Sequence, residues 1–329
     1  MSDFLISIGL SVLVAFIALF LGLIYKGIDR KLVARLQSRI GPPLIQPFRD
    51  FAKLMMKKNV IPEDAVSWVY NGVPIVSLAA TLTIILYIPF MGIAPILDGY
   101  GDLILILYLL MIPSLCMVIG GFSSGSPYAS VGAQREMVMM MSYEFPLSVV
   151  IISFAVLTGS FELSAMSSLS VWALVGPLGL IGLFMLLGIM IVITPAELSK
   201  IPFDAPEAET EIGGGLFVEY SGRNLALFYL ADAVKTIVMA SLIIALFFPH
   251  TVNDVFGLSL AAESMELYLA NFLFFLLKVF IVMLVSVTVI RAGFARLQID
   301  KIARLYMVPA TLLALVGLGL IMLDMGIGV

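Results

Sequence analysis

Several ionisable residues stand where a water-facing surface cannot account for them. Asp232 and Lys235 fall inside the apolar run Leu225–Pro249, and Lys278 falls inside Leu267–Ile290. Glu144 immediately precedes Phe145–Phe161, which has no charge. A charged side chain at the centre of a bilayer costs ~2.5–3.5 kcal/mol on insertion scales, so such residues are paired, neutral or turned toward a wet cavity. Their available chemistry is ion pairing or proton exchange. A second group fills the segment 196–224, where Glu197, Asp204, Glu207, Glu209, Glu211 and Glu219 face only Lys200 and Arg223, with Gly213–Gly215 interrupting. Crowded carboxylates raise one another's pKa and can then exchange protons near neutral pH. The same six residues could instead form a solvated acidic surface, or oxygen ligands for a divalent cation.

Asp232 and Lys235, at i and i+3, could simply neutralise each other. That leaves Glu144 and Lys278 without an obvious partner in sequence. A hydrated path from the acidic segment through Glu219, Asp232 and Glu144 covers more of these residues with one assumption. Redox chemistry has fewer candidates. The chain has one cysteine, Cys116, and one histidine, His250. A Cys-ligated iron–sulfur cluster needs several thiolates, and a typical zinc site needs several Cys or His ligands. No cofactor or metal is therefore expected on this chain. Cys116 reads as a packed thiol, His250 as an interfacial histidine, and the methionines at 137 and 139–141 as helix packing.

The elements that must position these groups follow from composition. Of 329 residues, 61% are apolar and 12% charged. A soluble domain is about 45–50% apolar and ~25% charged. Too few polar side chains exist to coat a soluble globule, and the class is an all-α integral membrane protein. With net charge −4 and no long basic tract, nucleic acid is not expected as a partner. A helix needs ~20 apolar residues to cross a bilayer. Eight stretches qualify: Phe4–Tyr25, Val69–Ala94, Leu103–Phe122, Phe145–Phe161 with a backward extension, Val171–Pro195, Leu225–Pro249, Leu267–Ile290 and Leu305–Leu323. The first lacks a preceding Lys or Arg and is longer than the apolar core of a signal peptide, so it is expected to be retained.

Lys and Arg set the orientation. Nine of the 18 fall in the loop 26–68. Arg135, Lys200, Arg223, Arg291, Arg296, Lys301 and Arg304 fall in the other loops on that side. The opposite side carries only Asp3, Asp98, Asp102, Glu162, Asp254, Glu263, Glu266 and Asp324. The basic side is read as the cytoplasm, which puts both termini outside in a multi-pass inner-membrane chain of one domain, 1–329. Within 26–68, Phe48, Phe51, Ala52 and Met55 recur at helical spacing against Arg49, Asp50, Lys53 and Lys57, predicting an amphipathic helix over 46–58. It could lie on the lipid surface or dock a partner.

Three stretches together resemble a known family, NuoH, the heel subunit of bacterial NADH:quinone oxidoreductase (complex I). Arg30-Lys31 followed by Gln37, Arg39 and Gly41-Pro42 is similar to its ERK…Q…R…GP segment. Gly132-Ala133, Arg135 and Ser142-Tyr143-Glu144 resemble its GA…RA…SYE segment. Phe203-Asp204, Glu207, Glu209, Glu211 and Glu219-Tyr220-Ser221-Gly222 through Asp232 resemble FD…EGESEL…EYSG…LFFLAE. Several positions depart from the complex I pattern: Asp29, Glu136 where Ala is usual, Met139 where Gln is usual, and Lys235 where Asn is common. The strings RIGPPLIQPF, GAQREM and IPFDAPEAETEI are more similar to the energy-converting membrane-bound [NiFe] hydrogenases and the related membrane-bound sulfane sulfur reductases, complexes that use no quinone.

The resemblance implies an eight-helix membrane anchor and coupling subunit without a redox centre of its own. Electron transfer would occur in peripheral hydrogenase-like subunits with iron–sulfur clusters and, in the hydrogenases, a [NiFe] centre. Small membrane subunits and antiporter-like membrane subunits are the implied membrane partners, with H⁺ or Na⁺ as the translocated ion. Carried onto this chain, the resemblance implies Glu144, Glu207, Glu209, Glu211, Glu219 and Asp232 for proton transfer, and the acidic or intramembrane positions read above add Glu197, Asp204, Lys235 and Lys278 to the candidate set. For the junction with the peripheral module the resemblance implies Arg30, Arg39 and Arg135, and the adjoining Lys31, Arg35, Gln37, Gly41, Pro42 and Glu136 complete the candidate set. Two rival readings are a quinone-reactive complex I subunit and a stand-alone secondary transporter. The inverted repeat common in the latter is not evident between the two halves.

Overall fold

The computed structural model describes residues 2–90, 94–256 and 265–326. Glu263, counted above among the acids of the opposite side, lies outside them. Among the described residues, eight helices are long and apolar enough to cross a bilayer. In chain order, with one surface helix, they are α1 Ser2–Leu36, α2 Gln46–Met56, α3 Ser67–Tyr87, α4 Leu103–Ser123, α5 Pro127–Thr158, α6 Pro177–Glu197, α7 Gly222–Phe247, α8 Met265–Gly293 and α9 Ile299–Asp324. All but α2 are spanning helices.

The centre of the bundle is α7. In its most apolar stretch 94% of the residues are buried, against 28% for α1. The sequence is consistent with that position: small residues Ala226, Ala231, Ala233 and Ala240 alternate with Val234, Ile237 and Val238, so neighbours can close in on every face. The charges Asp232 and Lys235 are thus carried on the helix with the least access to lipid.

The two longest helices outrun the membrane by the widest margin. At 1.5 Å per residue, the 35 residues of α1 and the 32 of α5 reach about 50 Å, well beyond a ~30 Å hydrocarbon core. For α1 this corrects the expected boundary. The segment after Tyr25 is not a loop; it continues as helix through Leu36, because 26–36 alternates charged with apolar residues at helical spacing and has no Gly-Pro break until Gly41-Pro42. The N-terminal turns of α5 carry Gly132, where a Cβ would meet the backbone nitrogen of Leu216 at 2.7 Å and the Pro206 carbonyl at 2.9 Å. Only glycine lets the acidic loop lie this close to α5.

Helix α2 is amphipathic as expected, but ends two residues earlier than 46–58. Its two aromatic residues are not left for lipid, although Ala52 and Met55 of the same face are exposed. Phe48 and Phe51 pack with Leu23 of α1 and Leu230 of α7, and the Phe48 ring sits 5.3 Å from Phe20.

Two spanning helices contain π-turns. Leu284–Thr288 interrupts α8, and Tyr306–Ala310, which includes Pro309, interrupts α9. Such bulges re-aim side chains. At the first, Thr288 donates to Asp29 of α1 at 2.9 Å.

Candidate functional site

A cavity of about 260 Å³ opens between α1, α7, the end of α6 and the loop after it. At ~30 Å³ per molecule it has room for about eight waters. Its wall carries Lys26, Asp29 and Arg30 from α1, Asp232 and Lys235 from α7, Glu197 from α6, Lys200 and Glu207 from the loop, and Arg291 from α8. Charged side chains from separate parts of the sequence thus converge on one small volume.

Asp232 is at its centre. The same carboxylate oxygen, Oδ2, lies 2.6 Å from Lys26 Nζ and 2.8 Å from Lys200 Nζ. Lys26 also donates to the Tyr229 carbonyl at 3.0 Å and stands 3.8 Å from the centroid of the Tyr229 ring. Glu207 is part of this electrostatic group. Burial pushes its carboxyl up to about 7; Lys200 pulls it down, and Asp232 adds to the rise. Burial works against the charge on Lys200, but the Asp232 and Glu207 carboxylates outweigh it and hold the amine above its ordinary value. A carboxyl titrating near neutrality beside a fixed ion pair can load and release a proton with little driving force.

A second group lies deeper. Lys235 Nζ is 2.7 Å from Glu197 Oε1, with side-chain exposures of 4% and 3%. The ammonium also donates to Ser114 Oγ of α4 at 3.0 Å, and Ser114 is 3.3 Å from the Tyr143 hydroxyl on α5. Two more acids sit on α5. Glu136 is completely buried, and neither of its carboxyl oxygens has a hydrogen-bond partner. Glu144, just over two turns further along, is half-buried with Oε1 unpartnered, and it interacts electrostatically with Glu197 and Lys235.

The sequence expectations divide against this geometry. Glu197, Glu207, Asp232 and Lys235 line the cavity, and Glu144 lies close to its deep end. Asp232 and Lys235 do not neutralise each other, since each has partners on other elements. Asp204 is held by the Arg296 guanidinium, Nε at 2.7 Å and Nη2 at 2.6 Å, and this pairing holds Arg296 above its ordinary pKa. Glu211 pairs with Arg135 at 2.5 Å, and Glu209 is exposed. Glu219 does not line the cavity, and its backbone carbonyl accepts from the Tyr70 hydroxyl at 2.7 Å. Lys278 is elsewhere. It donates to the Phe248 and His250 carbonyls at the far end of α7, beside a separate cavity of about 270 Å³.

Among the junction residues, Arg30 pairs with Asp50 of α2 at 2.9 Å and also reaches the cavity wall. Lys31 is half-buried, whereas Arg35, Gln37 and Arg39 are exposed. Gly41 turns the chain at φ +72° just before Pro42. Arg135 also donates to the Ala205 carbonyl. Glu136 is a correction. It is not on a docking surface, because at that turn α5 faces the bundle interior and excludes water from the carboxyl.

Reasoning from sequence missed Lys26, Lys200, Ser114, Tyr143 and the Asp29–Arg291 pair at 2.6 Å. Lys26 was hidden in a basic run that reads as an ordinary cytoplasmic anchor. Its signal was its place one residue after an uninterrupted apolar helix. Among the described residues, no group of three or more His, Cys, Asp or Glu side chains is arranged to hold a metal ion.

The family description NADH dehydrogenase matches residues 8–322. The chain belongs to this family. This NADH dehydrogenase-family chain is 35% identical to Hydrogenase-4 component C of Escherichia coli (strain K12) over 71% of its own length and 73% of the relative's. It is 31% identical to the H component of the NADH-quinone oxidoreductase of Brevibacillus brevis, over 88% of its own length and 84% of that chain. Its fold matches a chain of the membrane-bound sulfane sulfur reductase, an archaeal respiratory membrane complex, with a TM-score of 0.80, 30% identity, and coverage of 94% and 97%. The family and the all-helical eight-span architecture expected from sequence are both found.

Proposed function

We propose that this chain is the membrane-anchor and coupling subunit of a multi-subunit respiratory complex, and that it links electron transfer in a peripheral module to translocation of H⁺ or Na⁺. One observation carries the reading: charges from α1, α6, α7 and the acidic loop converge on a small cavity at the basic side of the bundle, with Glu207 titrating at about 7. A change of charge in a docked module beside the acidic loop would shift Glu207 and its neighbours, and protons would redistribute toward Glu197, Glu136 and Glu144. The exposed Arg35, Gln37, Arg39 and Glu209 are the surface offered to that module. Basic loops on the cavity side support placing it in the cytoplasm of an inner-membrane protein with both termini outside.

Iron–sulfur clusters and a [NiFe] centre do not fit this chain, because they need several thiolates and Cys116 is its one cysteine and is buried. In this reading they belong to partner subunits, alongside small and antiporter-like membrane subunits. The assignment to an oxidoreductase of hydrogenase or sulfane sulfur reductase type rests on the relatives named above. A quinone-reactive role is the second reading, favoured by the likeness to the NADH-quinone oxidoreductase chains. The cavity is smaller than the ~300–1,000 Å³ usual for drug-sized ligands, which favours water over a bulky carrier.

Native mass spectrometry of the detergent-extracted complex, with iron and nickel analysis, tests the assembly. Partners carrying iron are expected. Ion transport by the reconstituted complex, driven by its electron donor, tests the coupling. A chain that extracts alone and carries ion flux alone in liposomes would overturn both.

A further inference from the structure

Two enclosed carboxyls and one enclosed ammonium share the deep end of the site. Lys235 is paired with Glu197. Glu136 is the more deeply buried carboxyl, at 0% exposure, yet both its oxygens lack a hydrogen-bond partner. Native proteins seldom leave a buried polar group unpaired, and a buried carboxylate without a counter-charge is still more costly. An arrangement that is incomplete in one state is explained if the missing partner arrives in another.

The partner is within reach. Lys235 is the cation that acts on the Glu136 carboxyl, and Ser114, whose hydroxyl accepts from Lys235 Nζ at 3.0 Å, lies beside that carboxyl. A lysine is a flexible stem bearing three rotatable donors, suited to exchanging partners without backbone movement. The other groups facing this space are Tyr143 and Glu144 on α5 and, from the loop side, Glu207. None is a second cation, so among the described residues one ammonium serves both acids.

We infer that Lys235 is a two-position switch that pairs alternately with Glu197 and Glu136, and that each move is balanced by one proton passing the opposite way between the two carboxyls. With the ammonium on Glu197, Glu136 carries the proton. When the ammonium turns to Glu136, the proton leaves Glu136 and is taken by Glu197. The trio holds one negative and one positive charge in both end states, so no unpaired charge is enclosed at either, and nothing is oxidised or reduced. Ser114 bridges the two positions. The inference deepens the coupling role proposed above: it makes Glu136 and Glu197 the proton carriers and Lys235 the positioning residue that sets when a proton passes between the cavity and Glu144.

The test is a structure of the whole complex carrying Glu197→Gln. The expected result is Lys235 Nζ within hydrogen-bond distance of a Glu136 oxygen. Lys235 remaining beside residue 197 and Ser114, with Glu136 still unpartnered, would overturn the switch. If Glu197→Gln does not assemble, infrared difference spectra of the wild-type complex serve instead. A buried protonated-carboxyl band should be present and should disappear in Glu136→Gln; its persistence there rejects the assignment. Neither readout depends on ion pumping. A complex that shows the exchange but moves no ions would retain the switch and remove the coupling reading. A complex that pumps with Lys235 fixed would do the reverse.

Discussion

Lys26 Nζ lies 2.6 Å from Asp232 Oδ2 and ties the first spanning helix to the central one. Lys200 meets the same oxygen, so one carboxylate holds together α1, α7 and the loop that carries Glu207. Removing its charge would leave two ammonium groups, Lys26 buried and Lys200 partly exposed, facing each other. Asp232→Asn is expected to lower stability by ~1–3 kcal/mol, less than orphaning a fully buried charge because solvent reaches Asp232 and Lys200. Thermal unfolding in detergent measures it. An unchanged midpoint would mean that the two lysines find other partners.

Glu207 gives a pH dependence of defined sign. Its carboxyl holds a proton up to about 7 in the folded protein, against an ordinary 4.5 when unfolded, because burial disfavours the charge. Between those values the folded state binds more protons, so this group's contribution to stability falls as pH rises from about 4.5 to about 7 and is then constant. Glu207→Gln lacks that loss. The variant should gain on the wild type by roughly 1–3 kcal/mol above neutrality, with no difference at about pH 4. Parallel melts across this range decide it. In the reconstituted complex the same substitution should remove a titration near 7 from ion transport.

Much of the fold was legible, for a simple reason. A bilayer requires long apolar runs, and those are visible residue by residue. The ends were less legible where a charged helix leaves the membrane, as α1 does after Tyr25. The site was half legible. Asp232, Lys235 and Glu144 betray themselves because charges inside apolar runs are costly. Their partners do not. Lys26 lies far from Asp232 in sequence, and Lys235 turns to Glu197 although Asp232 is one turn away. Local spacing cannot encode a pairing that tertiary packing decides. Glu136 misled because it adjoins Arg135, and neighbours on a helix point in different directions.

Lys278 is expected to be a structural residue. It donates to the carbonyl of Phe248, the residue that caps the end of α7, and to that of His250 just beyond it. A cation there also complements the helix dipole. Lys278→Met should cost about 1–3 kcal/mol through two lost charge-assisted bonds, while the ratio of ions moved to electrons transferred stays the same. A lowered ratio at unchanged melting temperature would instead put Lys278 on the ion path.

The approach of α1 to α7 depends on a residue without chemistry. A Cβ added at Gly22 would press on the Ala233 carbonyl and stand 3.2 Å from the Ala233 side chain. Backbone cannot yield as a flexible side chain does, so α1 must shift outward. Gly22 is one helical turn from Lys26, and Ala233 is next to Asp232. The same shift therefore lengthens the ion pair. Gly22→Ala should destabilise by ~1–3 kcal/mol, as overpacking does. Because packing and pairing share this contact, combining Gly22→Ala with Asp232→Asn should cost clearly less than the sum of the two single changes. Additive costs, measured by melting of all four proteins, would show that α1 holds its position without the Lys26–Asp232 pair.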